Sequence, residues 1–135
     1  MTWPVMVCDG GQRREVHTLL ELEALLAAIA AVGPPSWVQI TSSDGTHVLG
    51  VALGRGDVSA LTFSDRDTAT TLASTATVPM LGGYDFDDAG TPRPVHHDDA
   101  ISVQTAHWAI TEFVQTGQRP RCVDWHPAEN PAWPS

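Results

Sequence analysis

Four adjacent residues, His96-His97-Asp98-Asp99, carry the side chains that ligate metal ions or move protons. Adjacent side chains diverge on a regular strand or helix, so all four reach one ion only from an irregular loop. The spacings that mark zinc sites, HExxH and CxxC, are missing from the chain. A solvated loop ahead of a helix accounts for the same residues, because Asp98 and Asp99 then stabilise the positive end of the helix dipole. Other chemistry is equally sparse. There is no GxSxG nucleophile elbow. Gly54-Arg55-Gly56 is a turn, since a phosphate-binding loop ends in GK[ST] and all seven basic residues are Arg. Cys8 and Cys122 stand far apart and read as two separate buried thiols rather than a disulfide. No catalytic residue, metal or cofactor is expected. The alternative is a small enzyme using Asp and His around residues 96–99.

Charge is more informative. The 135 residues hold 16 Asp and Glu against seven Arg, a formal net charge of −9. Binding nucleic acid directly, or an anionic membrane, needs a basic face that this chain does not build. No apolar run reaches the roughly 18 residues that span a bilayer. Met1-Thr2-Trp3-Pro4 also lacks the charged and apolar regions of a signal peptide, so a cytoplasmic protein is expected. The acidity is local: residues 41–100 carry nine Asp and three Arg, a net of −6. Turn chemistry accounts for Asp44 and Asp57. Asp85, Asp87, Asp88, Asp98 and Asp99 fall within fifteen residues, repel one another, and suggest a surface for a basic partner.

The elements that must position these groups are marked along the chain. A first strand over 5–8 ends at Asp9-Gly10-Gly11. Thr18 and Glu21 have capping-box spacing ahead of Leu19, Leu22, Leu26 and Ile29, which predicts a helix over 18–32 stopped by Gly33-Pro34-Pro35. Strands are then expected over 37–41, 47–53 and 58–63, with a Thr/Ala-rich edge or exposed strand over 68–77. Residues 78–100 read as loop, with a short strand at Tyr84-Asp85-Phe86. Ser102 and Gly117 bracket a second helix whose stripe is Ala106, Ile110, Phe113 and Val114. Arg121 to Trp125 predicts a last strand, with an extended tail from His126. Of the five Trp, Trp37 and Trp125 are expected in the core. Trp108 flanks the core or is exposed, while Trp3 and Trp133 either anchor an interface or fold back. The fold class is α+β: one domain over 1–135, an antiparallel sheet meander with two main helices packed on it.

The second helix and the segment after it carry a pattern: Glu112-Phe113, Thr116-Gly117, Arg119-Pro120, Val123 and Trp125. With Asp44-Gly45, Leu49-Gly50-Val51 and Gly82-Gly83-Tyr84, it resembles the Imm1 family of bacterial immunity proteins across roughly residues 36–126. The resemblance implies a small α+β protein that binds and neutralises a cognate toxin domain, most often one acting on nucleic acid, such as a deaminase. Phe113, Gly117, Pro120 and Trp125 look like framework, so no binding residue is carried over. The charge points the same way. A toxin that works on nucleic acid has a basic substrate site, and an inhibitor covering it in a 1:1 complex should be acidic. The candidate partner-binding residues are Tyr84, Asp85, Asp87, Asp88, Asp98, Asp99 and Trp108. A regulatory module binding another basic protein is the remaining alternative.

Overall fold

The computed structural model describes residues 3–32, 34–79 and 84–128. Val5–Asp9 (β1) and Gln12–Val16 (β2) form a hairpin through Gly10 and Gly11, both at positive φ. Leu19–Ala31 (α1) comes next, its first turn closed by Thr18 Oγ1 accepting the Glu21 N–H at 3.1 Å. Then come Ser36–Thr41 (β3), His47–Leu53 (β4), Val58–Ser59 (β5), Leu61–Asp65 (β6) and Thr70–Ser74 (β7). Tyr84–Asp88 (β8) and Thr91–Val95 (β9) form a second hairpin, and a 3-10 turn spans His97–Asp99. Ile101–Ser102 (β10), Val103–Thr116 (α2) and Trp125–Pro127 (β11) complete the order.

The main sheet runs β2-β1-β3-β4-β6-β7-β11, antiparallel at every step. The β8–β9 hairpin joins it at one point, where Ser36 of β3 faces Asp87 in parallel register. There the Asp87 N–H donates to the Pro35 carbonyl at 2.8 Å. This is the expected α+β fold, with the meander running through β3, β4, β6 and β7.

Strand alternation divides the apolar side chains between the two faces. Val38, Ile40, Leu49, Val51, Leu61 and Phe63 point toward the helices and bury Leu22 and Leu26 of α1 with Ala106, Ala109, Ile110, Phe113 and Val114 of α2. Their neighbours Trp37, Ala52 and Ala60 point the other way and pack under Phe86 and Val95 of the hairpin. The helices thus cover one face and the β8–β9 hairpin covers part of the other.

Several expectations need correction. The polar run Gln12–Val16 is a strand because it sits at the sheet edge, where only Val16 is buried. The predicted strand over 58–63 is two elements, since β5 leaves the main sheet to pair with β10. β7 is not an edge: β11 pairs along its outer side and Ala73 and Ser74 are buried. β11 itself begins at Trp125 rather than Arg121. Cys8 and Cys122 are separate and free, as expected, but neither is buried. Cys8 alternates with core-facing Val7, and Cys122 lies in the irregular stretch after α2. Trp37 is in the core, Trp125 is partly buried, and Trp3 folds back against the helix-side core. Trp108 is exposed. Gly33, Gly82, Gly83 and Trp133 lie outside the described residues.

Candidate functional site

The central Asp residues are positioned by the β8–β9 hairpin and the 3-10 turn next to it. Ala89 and Gly90 join the strands, both at positive φ (52° and 89°), the geometry that matches strand twist in a two-residue turn. The Gly90 N–H donates to Asp87 Oδ1 at 3.0 Å. β9 reads Thr-Pro-Arg-Pro-Val, a composition that resembles a loop. It is a strand because, among the described residues, it pairs only with β8, so its outer edge needs no N–H and accepts proline. The same prolines protect that edge from pairing with another chain.

Alternation then sorts the hairpin's acids. Phe86 is buried against the sheet, which puts Tyr84 and Asp88 on the inner side and Asp85 and Asp87 on the outer, opposite Pro94 and Pro92. The inner side is held by a stack. The Arg93 guanidinium lies 4.2 Å above the ring of Trp37, and Arg55 sits 4.3 Å above Tyr84. Arg93 is also 3.8 Å from Asp88, an ion pair too long for a hydrogen bond. Burial pulls the Arg93 pKa down and Asp88 opposes it. Trp37 lies across Gly50, where an added Cβ would collide with the Trp37 ring and Thr62 Oγ1. Its Nε1–H is buried without an acceptor among the described residues.

Beyond the hairpin, the 3-10 turn brings three of the four clustered residues together. Asp98 Oδ2 is 3.3 Å from His96 Nδ1, Asp98 Oδ1 is 3.1 Å from His97 Nε2, and the imidazoles stack at 4.2 Å. Donor atoms of His96, His97 and Asp98 lie within 4.8 Å of one another, an exposed set able to hold a divalent cation. His96 Nδ1 is already engaged, accepting the Asp98 N–H at 3.3 Å. Asp99 turns away and pairs with His126 Nε2 at 2.8 Å, while His126 Nδ1 meets Thr75 Oγ1 at 3.0 Å. Burial raises the Asp99 pKa against the opposing pull of His126.

Between the hairpin and strands β6, β7 and β11 lies a cleft of about 920 Å³. Asp88 and Arg93 line one wall, with His96, Asp98, Asp99 and His126 further along. The structure therefore brings Asp88, Asp98 and Asp99 into one cavity, leaves Asp85 and Asp87 on the hairpin's outer side, and pairs Tyr84 with Arg55. Trp108 is not among them: it projects from α2, across the sheet from the hairpin, and is 56% exposed. Sequence reasoning missed Arg93, His126 and the unpaired indole of Trp37. The Pro-Arg-Pro run of β9 was the available signal for the first, while the others depend on long-range packing.

Cys122 has its thiol pKa pushed up by desolvation and by the charge of Glu112, opposite to the activation a nucleophile needs. The Glu112–Trp125 pattern is structural. Gly117 caps α2 in the left-handed region, its N–H donating to the Phe113 carbonyl at 2.7 Å. Trp125 Nε1 donates to the Pro120 carbonyl at 2.9 Å, and Glu112 Oε2 accepts the Arg121 N–H at 2.7 Å.

Fold and site define an acidic α+β protein with a β-hairpin laid over one face of its sheet. No helix among the described residues is long and apolar enough to cross a membrane. The chain matches the family model of the immunity protein Imm1 over residues 10–127, and it belongs to that family. No curated protein matches it at significant similarity.

Proposed function

We propose that this protein is a non-catalytic inhibitor that binds a cognate bacterial toxin domain and neutralises it inside the producing cell. The observation that carries this reading is the Imm1 match across residues 10–127. The toxin class we favour acts on nucleic acid, with deaminases as one example, because such an enzyme presents a basic substrate site. An acidic protein of net charge −9 is suited to occlude that site. The surface we assign to the contact is the hairpin with its adjoining 3-10 turn: Tyr84, Asp85, Asp87, Asp88, Asp98 and Asp99. Carboxylates there would meet Arg and Lys of the toxin in charge-assisted hydrogen bonds.

The test is direct. The toxin domain encoded beside this protein should form a 1:1 complex of nanomolar or tighter affinity, lose its activity in it, and associate more slowly as salt rises. No detectable complex, or a complex with full toxin activity, would refute the reading.

A further inference from the structure

Three metal-ligating side chains, His96, His97 and Asp98, follow one another in the chain, and on a strand or a regular helix they would diverge. The 3-10 turn is irregular enough to gather them, and its backbone is held in place. The Asp99 N–H donates to the His96 carbonyl at 3.0 Å, the Ala76 N–H to the Asp98 carbonyl at 2.7 Å, and Ser74 Oγ to the Asp99 carbonyl at 2.7 Å. Asp99 itself turns to His126 at 2.8 Å. The turn is thus tied to β7 and β11, while the side chains of His96, His97 and Asp98 stay exposed.

Their spacing fits coordination. With bonds of about 2.0–2.2 Å to nitrogen and oxygen, two ligands of a tetrahedral zinc ion stand about 3.3–3.6 Å apart. His96 Nδ1 and Asp98 Oδ2 are separated by 3.3 Å, His97 Nε2 and Asp98 Oδ1 by 3.1 Å, and donor atoms of all three residues fall within 4.8 Å of one another. The protonation pattern points the same way. His96 Nδ1 accepts the Asp98 N–H at 3.3 Å, so this nitrogen carries a lone pair beside the carboxylate rather than a proton. Acceptor against acceptor is unfavourable unless a cation is shared between them. A proton relieves one contact between ring and carboxylate, whereas one metal ion engages both rings and the carboxylate together, displacing only a long N–H bond. Among the described residues no other three His, Cys, Asp or Glu converge in this way. His47, for example, spends Nδ1 on the Gly117 carbonyl at 2.6 Å.

We propose that His96, His97 and Asp98 form a binding site for one divalent transition-metal cation, with Zn²⁺ as the type ligand. Two imidazoles with one carboxylate suit zinc, copper or nickel, whereas Mg²⁺ and Ca²⁺ require oxygen ligands. Three protein ligands leave the remaining position to water. The assignment stands apart from the toxin reading, since it needs no partner.

The experiment is calorimetric titration of ZnCl₂, and separately MgCl₂, into the full chain carrying no histidine tag and cleared of metal by a chelator. Variants H96Q/H97Q and Asp98→Asn remove ligands, and His107→Gln removes a histidine from a different His–acid pair. Thermal unfolding verifies that each variant is folded. The wild type should bind one Zn²⁺ per chain and Mg²⁺ far more weakly. Both ligand variants should lose at least about tenfold in affinity, the loss that an outer-shell partner alone can cause, and His107→Gln should stay within about twofold. On adding Zn²⁺ the ring nitrogen resonances of His96 and His97 should shift, and those of His107 should not. If the wild type shows no saturable Zn²⁺ binding, if Mg²⁺ binds as tightly, or if both ligand variants stay within about threefold of the wild type, the assignment is overturned. Resonance shifts confined to other histidines overturn it equally.

Discussion

The Arg93 guanidinium stacks 4.2 Å above the indole of Trp37, joining the edge strand β9 to the central strand β3. Apart from one parallel bridge at Ser36, the acidic hairpin rests on the sheet through side chains, with Phe86 and Val95 completing the packing. The stack depends on a third residue, Gly50 of β4, whose missing side chain lets the Trp37 ring lie flat across the strand.

Gly50→Ala should therefore act on stability and on the hairpin together. The added Cβ overlaps Thr62 Oγ1 and the Trp37 ring, and Trp37 is the residue on which Phe86 and Val95 of the hairpin pack. Overpacking of this kind costs about 1–3 kcal/mol. A lower urea midpoint with faster amide exchange across Tyr84–Val95 is the expected result. An unchanged midpoint would show that Trp37 moves aside freely.

A second prediction concerns the family pattern after α2. Trp125 is partly buried against Phe63, with ring centroids 6.1 Å apart, and its Nε1 donates to the Pro120 carbonyl at 2.9 Å. Trp125→Phe keeps an aromatic ring and removes the donor. The loss should be about 1 kcal/mol in equilibrium unfolding. Toxin affinity should be preserved, because Trp125 serves the framework.

What was legible before folding was what local chemistry decides. Thr18 and Ser102 cap their helices as their spacing indicates, each accepting an N–H three residues on at 3.1 Å, and Gly117 ends α2 at φ 69°. Strands β3 and β4 fall on the runs that β-branched and apolar residues mark. The failures share a cause. β2 and β9 are edge strands, and an edge strand need not be apolar or even able to donate along its outer side, so Gln12-Arg13-Arg14-Glu15 and Pro92-Arg93-Pro94 read as coil. The acidic concentration was visible, but its division was not. Which Asp faces the cleft depends on hairpin register and on Phe86 docking beside Trp37, and neither is encoded near those residues.

Acid titration should separate two carboxylates. Asp44 accepts from Ser42 Oγ at 2.6 Å and from the Thr46 N–H at 3.0 Å, hydrogen bonds that hold its pKa below the ordinary 3.8. Its contribution to stability is complete above 3.8 and is lost as pH falls through its lower folded value. Asp99 behaves oppositely. Burial raises its pKa above 3.8, so the native state binds that proton more readily than the unfolded chain, and its contribution grows as pH falls through the raised value. Carboxyl NMR should give Asp44 a midpoint below 3.8 and Asp99 one above it. The reverse order would contradict the hydrogen bonding around Asp44 and the burial of Asp99.

The last prediction uses the two sides of the sheet. Trp108 is an exposed aromatic on α2, an attractive interface anchor when read alone, since Trp is enriched at binding hot spots. Yet α2 and the β8–β9 hairpin occupy opposite faces, so one compact toxin surface seated on the hairpin does not also cover Trp108. Trp108→Ala should thus leave toxin affinity within about twofold, while D88K/D98K reduces it by about 100-fold or more. Because Trp108 is 56% exposed, the substitution should change stability by no more than about 0.5 kcal/mol, so a binding loss is not explained by unfolding. Calorimetry on both variants decides the matter. A large loss at Trp108 with none at the hairpin would move the interface to the helical face.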